Sequence, residues 1–450
     1  MSALVLDVHI DGFANPAGHL SRGDNGNLAF AYSARHLTRD DALPLSLSLP
    51  VTDEPYGDVA TRAFFGNLLQ ERDDLLERVM AREGLERADI AGLLFHLGRD
   101  CPGALSVLPQ GAPPAKVPGD LATDYNVIGK DRLQRIVTEL HKRRRLPQGT
   151  ADPSPLAGMQ SKIAITRLPD GRFAEPKRAS GAPTTHILKV PDREHRRDAL
   201  YESATLLLSR TLDFATAEAE LLTFGGVEAL LVRRFDRAID AQGRIVRLHQ
   251  EDFAQALALA PSLKYERNGA PDRSFDTTSI ARVLNATADP IAARVWFLRA
   301  TVFDLLTGNV DGHAKNFALL HLGAGHVEIA PRYDLLPTRL DPDLTEEFAY
   351  RIGAAKTLSA LQTADLSSFV KALGIPTAAA QRRMLKLHIA DLAHGFAAAL
   401  RPLDQAGLKI FADLIAANMR HLLPLVGLEV PEAARNRDAA VRRGGGWQTS

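Results

Sequence analysis

Hydrophobic and polar residues alternate over the first 35 positions in short pieces separated by turn signals such as Asn25-Gly26, a pattern typical of β-strands. Alternating leucines between Pro44 and Pro50 indicate another short strand or extended piece. Apolar residues are then spaced three or four apart from Thr61 to about Glu86, which predicts a helix. The chain therefore starts as a small region of strands followed by a helix.

Two Pro- and Gly-rich stretches, 111–120 and 147–158, flank a helix predicted from Asp131 to His141. An ordered series of elements follows the second stretch. It comprises strands at Ile163 to Ile165, Thr185 to Val190, Glu218 to Thr223 and Val227 to Arg233, with a helix at Arg197 to Leu212. The remainder is mostly helical, and Gly308 ends one helix that carries Val295, Leu298, Val302 and Leu305 on one face.

These patterns predict an α+β fold with a small N-terminal domain of strands and helices and a largely helical C-terminal part. The predicted parts are an N-terminal domain (1–110), a linker and helix (111–150), a lobe of strands and a helix (151–240), a helical lobe (241–434) and a polar, Gly-rich tail expected to be disordered (435–450).

Composition narrows the class of protein. At 450 residues, with 45% hydrophobic and 24% charged residues, the chain is typical of a globular protein of two or three domains. No apolar run approaches the roughly 18 residues that span a bilayer, and the N-terminus lacks the basic start of a signal peptide. The single cysteine, Cys101, excludes an intramolecular disulfide. We therefore predict a cytoplasmic protein with no membrane partner.

Lysine and arginine together number 54, as do aspartate and glutamate, so the chain lacks the positive excess that general nucleic-acid binding requires. One basic run, His141 to Arg145, closes the predicted helix. Basic residues at a helix C-terminus interact favourably with the helix dipole, and we prefer that explanation to a phosphate-binding patch.

The order of several polar residues matches the needs of phosphoryl transfer from ATP. That reaction uses a loop over the phosphates, a cation beside them, oxygen ligands for Mg²⁺ and an aspartate beside the attacking hydroxyl. The chain offers, in this order, the loop Ala157 to Lys162, the strand residue Lys189, the helix residue Glu202, Asp311 with Asn316 five positions on, and Asp334 after a strand predicted at 326–330.

Each residue taken alone is better explained structurally. Lys189 and Glu202 are typical of solvated residues on a strand and a helix, and Asp334 is placed to cap a turn. His313 has no second histidine or carboxylate at the spacing of metal ligands, so we interpret it as structural. The shared order on the expected kinds of element is what favours a kinase.

At these residues the sequence resembles the HipA family, the kinase toxins of bacterial toxin–antitoxin pairs. The resemblance covers nearly the whole chain. Its motifs are Asp311-Gly312-His313-Ala314-Lys315-Asn316-Phe317, Tyr333-Asp334, Ala157-Gly158-Met159-Gln160-Ser161-Lys162, Pro183 to Lys189, Arg234-Phe235-Asp236, Gln250-Glu251-Asp252, Lys264-Tyr265-Glu266, Pro44 to Pro50, Phe64 to Leu69 and Gly98-Arg99-Asp100.

The resemblance implies a two-lobed, protein-kinase-like fold of HipA type, with ATP bound by the lobe 151–240 and catalysis in the helical lobe 241–434. It also implies a serine/threonine protein kinase that uses ATP and Mg²⁺. Family members modify aminoacyl-tRNA synthetases, slow translation and arrest growth. They are neutralised by a small helix-turn-helix antitoxin of the HipB type, through which alone this chain would meet DNA.

The same resemblance implies roles for individual residues. Asp311 would orient the substrate hydroxyl, while Asn316 and Asp334 would hold Mg²⁺. The residues implied on the ATP side are Ala157, Gly158, Met159, Gln160, Lys162, Lys189, Glu202, Arg234, Phe235, Asp236, His313, Lys315 and Asn316.

The chain departs from the family at one position. The family's self-phosphorylated serine is replaced here by Pro155, which has no hydroxyl, and the neighbouring Ser154 becomes the nearest candidate acceptor.

Two other functions remain open at this stage. One is a HipA-like corepressor, weakly active or inactive, that acts through its antitoxin; the other is a kinase for a small molecule. The intact set of Asp311, Asn316 and Asp334 argues against a binding role alone. A helix-turn-helix protein encoded next to this one would favour a toxin–antitoxin system.

Overall fold

The computed structural model describes residues 3–69, 74–147, 150, 161–323, 325–375, 377–437, 440–443 and 446–449. The chain forms two compact units. The first contains Met1–Leu200, Ala217–Pro261 and Ala318–Ala330, and the second contains Tyr201–Thr216, Ser262–Phe317 and Pro331–Ser450. The chain thus returns to the first unit twice, and the two units cut across the predicted boundaries at 110, 150 and 240.

Helices and strands of the described residues are numbered here in chain order. The strands are β1 (Leu4–Ile10), β2 (Gly18–Arg22), β3 (Leu28–Tyr32), β4 (Leu105–Pro109), β5 (Tyr125–Val127), β6 (Lys162–Arg167), β7 (Phe173–Pro176), β8 (His186–Lys189), β9 (Ala219–Phe224), β10 (Val227–Arg233), β11 (Arg237–Ile239), β12 (Ile245–Arg247), β13 (His249–Asp252), β14 (Ala318–Gly323), β15 (His326–Ile329), β16 (Ala440–Arg443) and β17 (Gly446–Thr449). The α-helices are α1 (Ala34–Leu37), α2 (Asp58–Gly66), α3 (Asp74–Glu83), α4 (Ile90–Leu97), α5 (Lys130–Arg143), α6 (Asp198–Thr211), α7 (Phe253–Ala256), α8 (Thr277–Asn285), α9 (Pro290–Thr307), α10 (Thr363–Ala372), α11 (Ala378–Gln405), α12 (Lys409–Leu425) and α13 (Glu432–Arg435).

The first unit begins with an antiparallel sheet in the order β3-β2-β1-β4. Buried and half-buried residues alternate along β2 and β3, as expected for strands that cover a core with one face. The predicted helix over 61–86 is wrong as a single element, since α2 ends at Gly66 and α3 starts at Asp74. Asn67 stops the first helix, because its side-chain Nδ2 donates to the Ala63 carbonyl at 2.8 Å.

The stretch between Pro44 and Pro50 is a tight turn, which corrects the prediction of a strand. Leu45 and Leu49 are both buried, and Ser46 pairs with Leu49 in an isolated bridge. The backbone N–H of Leu47 donates to Glu251 Oε1 at 2.9 Å, and the Ser46 hydroxyl donates to the same carboxylate. The alternating leucines reflect burial of both turn ends, which a pattern of period two does not distinguish from a strand.

A buried ion network joins the N-terminal sheet to strand β12. The Arg247 side chain is 0% exposed and donates to both carboxylate oxygens of Asp11, at 2.6 and 2.7 Å. It also donates to Asp100 at 3.0 Å, and Asp100 pairs with Lys116 at 2.6 Å. A buried charge is tolerated only when it is paired and hydrogen-bonded, so these residues hold the first 110 positions and the following region in one unit.

The second sheet of the first unit has the order β5-β7-β6-β8-β10-β9 and carries helix α5 against it. Apolar residues of α5, β6, β8 and β10 form its core, among them Val137, Ile165, Leu188 and Leu231. A third sheet, β13-β14-β15, contains the strand predicted at 326–330. Its position in the first unit shows that the region after 240 is less uniformly helical than predicted.

The second unit is built around helix α9, which packs against α8, α11 and α12. The helix is buried over nearly all of its second half, from Ala300 to Thr307. Gly308 ends it, as predicted, with a left-handed φ of 75°. Strands β16 and β17 pair where the sequence predicts a disordered tail. A glycine-rich stretch between two extended segments is also a hairpin signal, and the composition alone did not separate the two.

Among the helices of the described ranges, none has both the length and the apolar character needed to cross a bilayer.

Candidate active site

The predicted phosphate loop, Ala157 to Gln160, lies outside the described residues, as do Ser154 and Pro155. The last residue of the loop motif, Lys162, starts strand β6.

Lys162 and Lys189 stand directly opposite each other in the antiparallel pair of β6 and β8. Opposed residues of an antiparallel pair have side chains on the same face, about 5 Å apart at their Cβ atoms. Two ammonium groups on one face of a sheet can both donate to a phosphate group. The sheet thus brings together two lysines that were predicted separately, in an arrangement suited to a phosphate group.

The Arg234-Phe235-Asp236 segment follows strand β10, and two of its side chains are deeply buried. Arg234 donates twice to the Asp236 carboxylate, at 2.8 and 3.0 Å, and Arg237 pairs with it at 2.8 Å. Burial alone would raise the pKa of Asp236, but these two guanidinium groups hold that pKa well below its usual range. Phe235 between them is half-buried. Arg234, Asp236 and Arg237 thus form a buried ion cluster.

Glu202 lies on helix α6 with 1% of its surface exposed, so it is not the solvated helix residue that its sequence context favoured. It belongs to the second unit, whereas Lys189 belongs to the first. The pairing of Lys189 with Glu202 stays a prediction.

The loop after helix α9 carries the principal candidate, Asp311. Its backbone N–H donates to Asn309 Oδ1 at 3.2 Å, and its carbonyl accepts from the His313 N–H at 2.7 Å. The same carbonyl accepts from Asn316 Nδ2 at 2.8 Å. The five-residue spacing of Asp311 and Asn316 thus corresponds to a closed, hydrogen-bonded loop, completed by a single 3₁₀ turn at Ala314–Asn316.

The Asp311 carboxylate is largely buried and accepts a hydrogen bond of 2.5 Å from the hydroxyl of Tyr265. Burial raises the pKa of Asp311 above its usual value, and the nearby Asp334 raises it further. The Tyr265 hydrogen bond and the charges of Lys264 and Arg267 act in the opposite direction. A carboxylate with a raised pKa is a stronger base than an exposed one, as general-base catalysis requires.

His313 and Lys315, both predicted on the ATP side, are buried within the loop. The His313 ring meets the Tyr265 ring edge-on at 5.1 Å, and burial lowers the pKa of His313 to about 3. The imidazole is therefore neutral near pH 7, and its place on the ATP side stays a prediction. The Lys315 carbonyl accepts from the Tyr333 hydroxyl at 2.6 Å, which fastens the loop to the segment that carries Asp334.

Asp334 is half-buried and has a φ of +57°, a left-handed conformation that residues other than glycine and asparagine rarely adopt. Asn316 uses its Nδ2 within the loop, which leaves its Oδ1 as a ligand atom. Clusters of three or more His, Cys, Asp or Glu side chains are absent from the described positions. A magnesium ion here would therefore be held by Asn316 and Asp334 together with waters or phosphates, and such a sparse set of hard oxygen ligands fits Mg²⁺.

Tyr265 is a site residue to which sequence reasoning gave no role. Its segment, Lys264 to Glu266, is one of the motifs of the family resemblance, which implies no role for the tyrosine. The aromatic ring is flanked by two cations, with the Arg267 guanidinium 3.9 Å from its centre and the Lys264 ammonium 5.5 Å away. A tyrosine between two basic residues in a polar stretch was the available signal, but nothing in the sequence connects it to Asp311, 46 positions later.

Replacing Tyr265 with phenylalanine should move the acidic limb of the pH–rate profile to higher pH. The hydroxyl stabilises the ionised carboxylate, so its loss raises the pKa of Asp311, and the base becomes protonated at a pH where it was still active. A shift of about one pH unit is expected for one hydrogen bond to a charged group. The rate of phosphate transfer between pH 4 and 8 would measure it.

Tyr333→Phe is the matched control, because that hydroxyl donates to the backbone carbonyl of Lys315 in the same loop. Its acidic limb should stay where it is in the unsubstituted protein. An unmoved limb in Tyr265→Phe would mean that the hydrogen bond does not control the base.

Two family models match the chain. The model of the HipA N-terminal domain matches residues 6–108, and the model of the HipA-like C-terminal domain matches residues 154–399, which is more than half of the chain. The described candidates from Lys162 to Asp334 all lie within the second match.

Relatives and a solved structure agree with these matches. A Sinorhizobium fredii protein named as a candidate kinase, Y4mE, is 34% identical over 93% of this chain and 99% of its own length. The serine/threonine-protein kinase toxin HipA of Shewanella oneidensis is 28% identical over 78% of this chain and 81% of its own. The structure of Shewanella oneidensis HipA with HipB and operator DNA superposes with a TM-score of 0.77 at 24% identity, covering 94% of this chain and 98% of that chain, which confirms the predicted α+β fold of HipA type. Because the models and relatives span both halves of the sequence, the chain belongs to the HipA family.

Proposed function

We propose that the protein is an ATP- and Mg²⁺-dependent serine/threonine protein kinase and the toxin of a toxin–antitoxin pair. The observation that carries the proposal is the environment of Asp311. Its carboxylate is buried, has a raised pKa, accepts a hydroxyl hydrogen bond and sits in a loop closed by Asn316. The names of the kinase relatives give independent support.

In the proposed reaction Asp311 orients a serine or threonine hydroxyl of the substrate and accepts its proton. The hydroxyl oxygen forms a bond to the γ-phosphorus of ATP while the bond from that phosphorus to the bridging β–γ oxygen breaks, and ADP leaves. The Tyr265 hydroxyl, which donates to the same carboxylate, shows that Asp311 can accept a hydroxyl hydrogen bond.

Asn316 and Asp334 are the proposed holders of the magnesium ion. When bound, Mg²⁺ neutralises charge that develops on the phosphate oxygens. Lys162 and Lys189 are proposed to contact the phosphates as a pair, because they stand opposite each other on one face of the sheet. Phe235 is proposed to contact the adenine, whereas the buried Arg234 and Asp236 would act by fixing the backbone around it.

The proposed cellular role follows from the family. An aminoacyl-tRNA synthetase is the proposed substrate, and its modification would slow translation and growth. A HipB-like antitoxin with a helix-turn-helix fold is the proposed partner, since the matching Shewanella oneidensis structure contains HipA, HipB and operator DNA. The absence of net positive charge on this chain supports DNA contact through that partner alone.

Purified protein incubated with γ-labelled ATP, Mg²⁺ and a cell lysate should label one acceptor protein, identifiable by mass spectrometry. A matched reaction with Asp311→Asn protein should label none. The same spectra report on Ser154, whose phosphorylation in the active protein alone would support self-modification beside Pro155. Labelling that is equal in both proteins, or absent from both, would contradict the kinase proposal and favour a corepressor.

A further inference from the structure

Asp304 is a buried acidic residue in the last turns of helix α9, among the apolar side chains of Val302, Phe303 and Leu305. Only 7% of its surface is exposed. Its Oδ1 atom accepts two hydrogen bonds, from Asn309 Nδ2 at 3.1 Å and from Arg332 Nη2 at 2.5 Å. One carboxylate oxygen therefore connects two chain segments that are more than 20 residues apart in sequence.

The first connection leads to Asp311. Asn309 donates to the Asp304 carboxylate through its Nδ2, and its Oδ1 accepts from the Asp311 backbone N–H at 3.2 Å. The backbone N–H of Asn309 also donates to the Asp304 carbonyl at 3.0 Å. The other carboxylate oxygen lies against the loop itself, since a Cβ atom at Gly312 would be 3.6 Å from Asp304 Oδ2. Asp304 thus fixes the entry to the catalytic loop through side chain and backbone together.

The second connection leads to Asp334. Arg332 precedes it by two residues and is 3% exposed. The guanidinium lies 5.0 Å from the ring centre of Phe214 and 4.6 Å from that of Phe303, while the Arg332 backbone N–H donates to the Ala215 carbonyl at 2.8 Å. Because the backbone and the guanidinium of Arg332 are both held, the side chain has little freedom to move. The ion pair with Asp304 fixes the orientation of the guanidinium.

We propose that Asp304 is a positioning residue, which sets the spacing between the base Asp311 and the metal-binding Asp334 from the buried side of the site. The inference rests on the proposed kinase function. Asp304 contacts neither substrate nor metal in this assignment; it acts through Asn309 and Arg332. Displacing a reacting group by about 1 Å can slow a reaction by roughly 10²-fold, so a shared anchor for both groups has a direct kinetic consequence.

Four variants separate positioning from ordinary stabilisation. Asp304→Asn leaves the buried guanidinium without its counter-charge and is expected to lower the melting temperature as well as kcat. Asp304→Asn/Arg332→Met removes both charges, and methionine suits the space between two aromatic rings, so the melting temperature should return towards that of the parent. Asn309→Ala cuts only the connection to Asp311. Asp413→Asn is the matched control, because Asp413 is a buried aspartate of helix α12, 1% exposed, and its ion pairs to Lys409 and Arg437 involve neither Asn309 nor Arg332.

Two measurements decide the proposal, namely kcat and KM for phosphate transfer to the acceptor identified in the lysate, and backbone hydrogen exchange. The double variant should keep a parent-like melting temperature with kcat about 10- to 100-fold lower and KM for ATP changed less than about threefold. Residues 332–336 should exchange faster in it, and residues 309–316 in Asn309→Ala. Asp413→Asn should lose thermal stability with kcat and both exchange rates unaltered.

A stable double variant with parent kcat would overturn the positioning role and reduce Asp304 to a stabilising ion pair. Hydrogen exchange tests the anchor separately if the parent protein transfers no phosphate. In that case the kinase proposal fails. Hydrogen exchange that is faster than in the parent only at residues 332–336 and 309–316 still supports the anchor. Exchange at the parent rate in these two segments of all four variants contradicts it.

Discussion

Asp311→Asn protein should bind ATP almost as tightly as the parent and transfer phosphate about 10²- to 10⁴-fold more slowly, the range by which a positioned general base accelerates a reaction. The amide has the size of the carboxylate, so the loop and the contact with Tyr265 can persist. It cannot take up the proton of the attacking hydroxyl. Nucleotide affinity depends on other groups and should change little, which makes this a defect in kcat.

Calorimetric titration with ATP and a phosphate-transfer assay on the same preparation measure the two quantities. Asp391→Asn serves as the control, since Asp391 is an exposed aspartate that pairs with Arg299 on the surface of the second unit. Transfer by Asp311→Asn protein within about threefold of the parent rate would show that another group is the base.

Two substitutions at Asp334 should give the same catalytic defect but different stabilities. Both Asp334→Asn and Asp334→Ala remove a carboxylate from the proposed metal site, and phosphate transfer should fall about 10²- to 10³-fold, as when one electrostatic stabiliser of a transition state is lost. Asparagine tolerates the left-handed backbone found at this position, with its φ of +57°, and alanine does not. The free energy of unfolding should therefore be about 1 kcal/mol lower for the alanine variant than for the asparagine variant.

Titration of ATP with and without Mg²⁺ tests the metal assignment, and denaturant unfolding tests the backbone argument. In both variants the enhancement of ATP binding by Mg²⁺ should decrease by at least about tenfold. A metal enhancement equal to that of the parent would place the ligands elsewhere. Equal unfolding free energies for the two variants would show that the backbone relaxes at no cost.

Local sequence patterns predict those helices, strands and turns whose conformation depends on residues close together in the chain. The strands β6, β8 and β10 and the end of α9 at Gly308 follow from alternation, proline and glycine, and the structure confirms them. The turn that joins Asp311 to Asn316 is also a local feature, because the side chains of Asn309 and Asn316 close it through hydrogen bonds to the Asp311 backbone, two and five positions away.

Features that depend on contacts between distant residues were not predictable in this way. The turn at 44–50 is fixed by Glu251, about 200 positions later, and the buried Arg237 beside Asp236 donates to the Thr184 carbonyl, 53 positions earlier in the chain. Asp304 is the position where the sequence most clearly indicates a buried ion pair that was not predicted. A charged residue in the mostly apolar stretch 300–306 of a predicted helix must find a partner inside the protein, but the pattern does not say that the partners are Asn309 and Arg332.

The ion network of Arg247 has a consequence for the order in which the protein acquires its structure during synthesis. Asp11 and Asp100 leave the ribosome long before Arg247, the residue that pairs with both. At translation rates of about 5–20 residues per second, the interval after Asp100 is on the order of 7 to 30 s. During that time the two carboxylates need water where the finished protein has a guanidinium, so the N-terminal region stays hydrated at this surface. Final closure of the first 110 residues is therefore a late step, reached only when strand β12 has been made.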